Sequence, residues 1–128
     1  MGGFTFGAWA QLGAANETIA AAGSAVFGTV DNAGKTGSEI SVQVTYNASA
    51  TQGAQIQIER DVDGTAFEGE SSAPWVIPVP FTAGATRERV VTVPADMVGK
   101  FRVRVVNLQT ATHAITNANV RVKQATYA

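Results

Sequence analysis

Alternation of apolar and polar residues with a period of two recurs along this chain and limits its folds more than any other feature. "EISVQVTY" puts Ile40, Val42, Val44 and Tyr46 on one side and Ser41, Gln43 and Thr45 on the other. "AQIQIE" alternates Ile56 and Ile58 with Gln55, Gln57 and Glu59, and "GKFRVRVV" sets Phe101, Val103 and Val105 against Lys100, Arg102 and Arg104. "NVRVKQ" repeats the scheme with Val120 and Val122, and "RVVTV" from Arg89 to Val93 adds a further run. This is the pattern of half-buried antiparallel strands, whose side chains point alternately to two faces. No segment carries a convincing 3.6-residue period. The candidate around Glu17 to Ala22 is broken by Gly23, and the side-by-side Val105 and Val106 predict a bulge or the strand's exit from the sheet.

The chain of 128 residues and 13.3 kDa fits one domain with one core. Short strands separated by Gly-, Asn- and Asp-rich turns predict an all-β fold, a single antiparallel β-sandwich of immunoglobulin-like or jelly-roll type. With no cysteine there is neither a disulfide framework nor a thiolate metal site. No run approaches the length of a membrane-spanning helix, and "MGGFTFGAWAQLGAANETIAAAG" lacks the basic start of a secretory signal. Synthesis in the cytoplasm, with no membrane association, is therefore expected. The glycosylation sequons at Asn16 and Asn47 then have no consequence.

The first 28 residues hold six Gly, eight Ala, Phe4, Phe6, Trp9 and Phe27, and the single charge Glu17. They predict an extended N-terminal arm over residues 1–18 and a sandwich domain over 19–128, its first strand near Thr18 to Val26. Aromatic residues on such an arm are candidate anchors on a neighbouring subunit. "APWVIPVPF" places Pro78 and Pro80 two apart, so both missing N–H groups face one side. That predicts an edge strand guarded against accidental pairing, with Trp75, Ile77, Val79 and Phe81 turned to the core.

The chemistry-bearing patterns resolve mostly into turns. "ERDVDGTAFEGE" places Glu59, Asp61, Asp63, Gly64 and Glu70 at the ligand and glycine positions of an EF-hand loop. Its flanks, however, are a strand and a Gly/Ser-broken stretch ending at Pro74, so Asp63-Gly64 reads as a tight type I′ hairpin turn. Gly34-Lys35-Thr36 resembles the end of a phosphate loop, but Thr29 stands where its first glycine belongs and a strand follows. His113 is the single histidine, in a Thr- and Ala-rich loop far from any acid in sequence, and Glu68 with Glu70 is the best carboxylate pair on offer. No catalytic residue, metal or cofactor is expected, and an enzyme is the least supported class.

A near-neutral total charge hides an asymmetry. Residues 1–86 carry two bases against eight acids, whereas residues 87–128 carry seven bases against two. The outward bases Lys100, Arg102, Arg104, Arg121 and Lys123 form a stripe with no interleaved aromatic, which disfavours nucleic acid and fits an acidic protein surface.

"TVDNAGKTGSEISVQVTYNASATQGAQIQIERDVDG" resembles the small β-sandwich virion proteins of tailed bacteriophages, through an Asp-x-x-Gly-Lys turn, a V-x-V-T strand, a second alternating strand and a closing Asp-Gly turn. "WAQLGAANETIAAAG" is similar to their lead-in segments, and the likeness runs over roughly residues 20 to 125. It implies a structural role in the virion, as a capsid decoration protein or a head–tail or tail component, with other virion proteins as partners in a homo-oligomer or lattice. The interface residues expected are Phe4, Phe6, Trp9, Arg102, Arg104, Arg121 and Lys123. The other reading is a sugar-binding sandwich module, with Trp9, Trp75, Tyr46 or Tyr127 as the stacking platform; alternation turns Trp75 and Tyr46 to the core, against it.

Overall fold

A computed structural model of the protein describes residues 4–70, 72, 75–95, 98–110 and 112–127; Pro74, Asp96 and the side chains of Phe4 and Tyr127 lie outside the described residues. The described residues form nine strands: β1 Phe4–Phe6, β2 Ala10–Ile19, β3 Ser24–Asp31, β4 Gly37–Thr45, β5 Ala54–Arg60, β6 Trp75–Pro78, β7 Thr86–Pro94, β8 Lys100–Asn107 and β9 Ile115–Tyr127. All pairings are antiparallel. The first sheet runs β7–β4–β9, with β1 and β2 end to end along the far edge of β9; the second runs β3–β8–β5–β6.

The order of β2 to β9 identifies the winding. The chain changes sheet at every connection from β2 onward except β5 to β6, giving sheets 2-9-4-7 and 3-8-5-6. Eight antiparallel strands wound in this way make a jelly roll, one of the two sandwich types that the alternation allows.

The core lies between the sheets and is built from the inward half of each period-two pattern. Ile40, Val42 and Val44 of β4, Ile56 and Ile58 of β5, Phe101, Val103 and Val105 of β8, and Val120 of β9 are all fully buried. Registry places Ile40 opposite both Val91 and Val122, and Ile56 opposite Val105, so apolar residues meet across every inner ladder. Tyr46 is also buried; its hydroxyl accepts from the Ala54 N–H at 3.2 Å, and its ring meets Phe81 edge-on at 4.9 Å. At one end of the core, Asn32 donates to the carbonyls of Val93 and Val98 and accepts from the Ser38 hydroxyl, tying the β3–β4 turn to β7 and its exit.

Several local expectations need correction. Residues 4–19 lie along β9 as two strands and do not extend away from the domain, and the strand expected at Thr18–Val26 is instead a break at residues 20–23. Gly23 donates to the Ala20 carbonyl there and Ala22 has φ 57°, so the chain turns from one sheet to the other. Phe27, beyond the arm but within the apolar opening stretch, is a core residue, delivered inward by a register shift between Val26 and Gly28. That shift is the bulge of this region; at Val105 and Val106 the β5–β8 ladder is unbroken and β8 ends one residue later at Asn107, so of the two expectations there the strand's exit holds and the bulge does not. Asp63-Gly64 does not form a two-residue hairpin turn, because β5 ends at Arg60, β6 begins at Trp75, and a bridge from Asp61 to Phe67 closes a five-residue loop inside a longer connection.

The edge strand is as expected. β6 is the outer strand of its sheet, and because the Val79 N–H points inward to the Ala54 carbonyl, the ring nitrogens of Pro78 and Pro80 face the open edge. Ile77 and Val79 are buried and Trp75 packs against the core, whereas Phe81 is partly exposed.

Candidate interaction surface

The outward halves of the strands form two faces of different character. On the 3-8-5-6 sheet, Glu59 of β5 faces outward but is completely buried, because Arg102 and Arg104 of β8 close on it from the neighbouring strand. The Arg102 Nε donates to one carboxylate oxygen at 2.5 Å and the Arg104 Nε to the other at 2.6 Å. Arg104 also donates to the Ser24 hydroxyl and stands 3.7 Å from Glu70. The β5–β6 connection folds back over this cluster like a strap, with the Phe67 ring 5.3 Å from the Arg102 guanidinium and 6.0 Å from the Lys100 ammonium. Arg60 pairs with Glu68 at 3.1 Å beside it.

The strap spends its acids on its own backbone. Asp61 accepts from the Gly64 N–H, and one oxygen of Asp63 accepts from the N–H groups of Thr65 and Ala66 and from the Thr65 hydroxyl. Those bonds hold the Asp63 carboxyl below its ordinary pKa, and the Arg60 side chain does the same for Glu68. With Glu59 committed to two arginines, the EF-hand-like string places its oxygens apart, and no group of three or more His, Cys, Asp or Glu is placed to hold a metal among the described residues. Glu68 and Glu70 are likewise engaged with different arginines. His113 lies in the β8–β9 loop, where its carbonyl accepts from Asn107, and Gly34-Lys35-Thr36 is part of the β3–β4 turn, as expected.

The outer face of the other sheet is open. Registry sets Phe6 of β1, Ala125 of β9, Gly37 of β4 and Pro94 of β7 in one row across four strands. The next row holds Lys123, Glu39 and Thr92, and the one after it Gln11, Arg121, Ser41 and Val90. The Lys123 ammonium lies 5.2 Å from the Phe6 ring and 4.8 Å from the Trp9 ring, and 3.7 Å from the Glu39 carboxylate. Phe6 and Trp9 nevertheless remain 57% and 40% exposed, more aromatic surface than a solvated face needs. Between Phe6 and Pro94 lies a trough of about 300 Å³, also lined by Thr36, Gly37, Glu39, Thr92 and Lys123.

Of the seven expected interface residues, the structure therefore gathers Phe6, Trp9, Arg121 and Lys123 on one open face and puts the backbone of Phe4 at its margin. Arg102 and Arg104 lie on the opposite sheet, where both are already engaged with Glu59 within the chain. Glu39, Gly37 and Pro94 join the open face without a sequence signal: alternation marks Glu39 as outward, but only the register of β4 with β9 sets it beside Lys123. No helix of the described residues is long and apolar enough to cross a membrane.

No protein-family model matches the chain, and no curated protein matches it. Among solved structures it is similar to a chain in the structure of infectious bursal disease virus, Gx strain, with 13% identity and a TM-score of 0.38. The match covers 99% of this chain and 37% of that one. So distant a likeness fixes neither lineage nor role.

Proposed function

We propose that this protein is a structural subunit of a virus particle, most specifically a capsid decoration protein of a tailed bacteriophage, attached through the open face of its 2-9-4-7 sheet. The observation that carries this reading is the pairing of a jelly roll with one uncovered face on which Phe6, Trp9, Lys123 and Arg121 stand together. Jelly rolls serve as capsid domains and also as lectins and cupins, so the fold alone does not choose among these roles. Exposed aromatic anchors beside unburied bases favour attachment to a neighbouring protein surface, with the rings displacing water and the cations meeting acidic groups. A head–tail or tail position would use the same face.

Co-sedimentation with particles that lack the protein tests the reading. Wild type is expected to pellet with the particles, and Trp9→Ala/Arg121→Glu to stay in the supernatant while remaining folded, since both side chains are exposed. Arg102 is unsuited to this purpose because it holds Glu59. Equal pelleting of wild type and the double variant removes the open face from the interface, and failure of the wild type to pellet removes the particle role.

A further inference from the structure

We infer that the trough between Phe6 and Pro94 is a binding site for a pyranose sugar; it lies on the face proposed for particle attachment, so sugar and particle would compete for Phe6 and Lys123. Its floor is strand backbone with only Gly37 and the Ala125 methyl rising from it, and its two walls are a phenyl ring and a pyrrolidine ring. Polar groups flank the row on both sides: Glu39, Lys123 and Thr92 occupy adjacent positions on three neighbouring strands, and Thr36, whose hydroxyl donates to the Ala125 carbonyl, lies on the other side. The volume of about 300 Å³ is at the small end of ligand pockets, enough for one ring and part of a second.

Each part of this lining selects a feature of the ligand. A sugar ring carries C–H groups on its faces, which pack against Phe6 at one end of the trough or Pro94 at the other, and hydroxyls on its rim, which both donate and accept. The Glu39 carboxylate only accepts and the Lys123 ammonium only donates. They stand 3.7 Å apart, an ion pair beyond hydrogen-bond length, so each keeps bonding capacity toward a third group. Two neighbouring hydroxyls, one donating to Glu39 and the other accepting from Lys123, satisfy both.

Other occupants fit less well. A purely apolar ligand leaves the charged pair desolvated without new partners. An extended peptide gains its affinity from backbone ladders at a sheet edge, whereas the trough lies on a face where β4 is already paired on both sides, to β7 and to β9.

The experiment is a titration of the isotopically labelled full chain with cellobiose, lactose and chitobiose, followed by amide NMR shifts. At least one disaccharide is expected to bind with a dissociation constant in the millimolar range, moving the amides of Phe6, Gly37, Glu39, Thr92, Lys123 and Ala125. Phe6→Ala is expected to weaken that binding about tenfold or more. Glu39→Gln, which leaves the aromatic wall and the fold in place, is expected to weaken it similarly. Val62→Ser, at an exposed site on the distant strap, should leave it unchanged. The inference is overturned by any of three results: no shifts with all three sugars at about 20 mM, shifts that lie elsewhere, or trough amides that respond only to protein dilution, which would make the face a contact between copies. Because the isolated chain is used, the outcome is independent of whether it attaches to a particle.

Discussion

Replacing Glu59 with glutamine tests the account of the buried carboxylate directly. The substitution keeps the volume but removes the charge that two arginines share at 2.5 and 2.6 Å. Each charge-assisted hydrogen bond is worth about 1.5–3 kcal/mol, and removing one partner of a buried pair commonly costs about 3–5 kcal/mol because the other charge is stranded. Here the stranded side chains are not fully enclosed: Arg102 is 27% and Arg104 15% exposed, so both regain some water. The lower end of that range, about 3 kcal/mol, is therefore expected. Unfolding entropy near 2.1 cal/mol/K per residue turns this into a fall in Tm of about 10 °C for a chain of this length. Urea denaturation and calorimetry measure the two quantities. Arg60→Gln, next along the strand but half exposed and paired to Glu68, serves as the contrast and should lower Tm far less, because a solvent-screened pair contributes little. If Glu59→Gln and Arg60→Gln behave alike, the buried cluster does not hold the strap to the sheet.

Gly13→Ala should destabilise the β2–β9 edge by at least about 2 kcal/mol, because φ is +72° there and an added Cβ would lie 2.1 Å from the Phe27 carbonyl oxygen; a Tm within a degree of wild type would refute it. Gln57 is 5% exposed and its Oε1 has no hydrogen-bond partner among the described residues, so Gln57→Met should raise stability by about 1 kcal/mol in urea melts, whereas a loss of that size would reveal a bound water. Because Asp63 and Glu68 have pKa values lowered by folding, their stabilisation of the strap is fully present above the ordinary carboxylate pKa of about 4 and disappears as pH falls through the lowered folded values. Carboxyl-carbon NMR titrations should show both midpoints below those of the unfolded chain; midpoints at or above them would contradict the hydrogen bonds described. Calorimetry should detect no micromolar calcium binding, since the strap's carboxylates bond backbone and arginine; binding that Asp61→Ala abolishes would overturn this.

The sandwich was legible because its core strands carry a clean period of two and the turns between them hold Gly, Asn or Asp. Strand β4, buried at every second residue from Ser38 to Val44, is the plainest case. The arm misled because β2 is exposed at most positions and has little alternation to display. It is a strand by virtue of its partner: β9 offers a long edge, and Ala10, Leu12 and Ile19 pair along it opposite Val122, Val120 and Ile115. Glycine and alanine lower a segment's intrinsic preference for strand, and the tertiary edge overrides that preference. The choice of jelly roll over an immunoglobulin-like order could not come from periodicity, because alternation reports which face is buried and says nothing of which strand lies beside which.

The charge asymmetry shows the same limit at the level of the site. In sequence, acids crowd the first two-thirds of the chain and bases the remainder, which invites a polarised surface facing an acidic neighbour. A jelly roll interleaves distant strands, however, so β8 lies beside β5 and β9 beside β4. Arg102 and Arg104 therefore meet Glu59, and Lys123 meets Glu39, within the chain itself. Opposite charges far apart in sequence are what such a topology needs to pair neighbouring strands, since like charges directly opposite one another destabilise a sheet. What is left over decides the surface: Arg121 stands opposite Ser41 and Gln11, two neutral residues, on the face that also carries the exposed rings of Phe6 and Trp9. On the face proposed for attachment, Arg121 is thus a base that the register of β9 with β2 and β4 leaves without a facing acid, and it stands out only after those cross-strand pairs have been assigned.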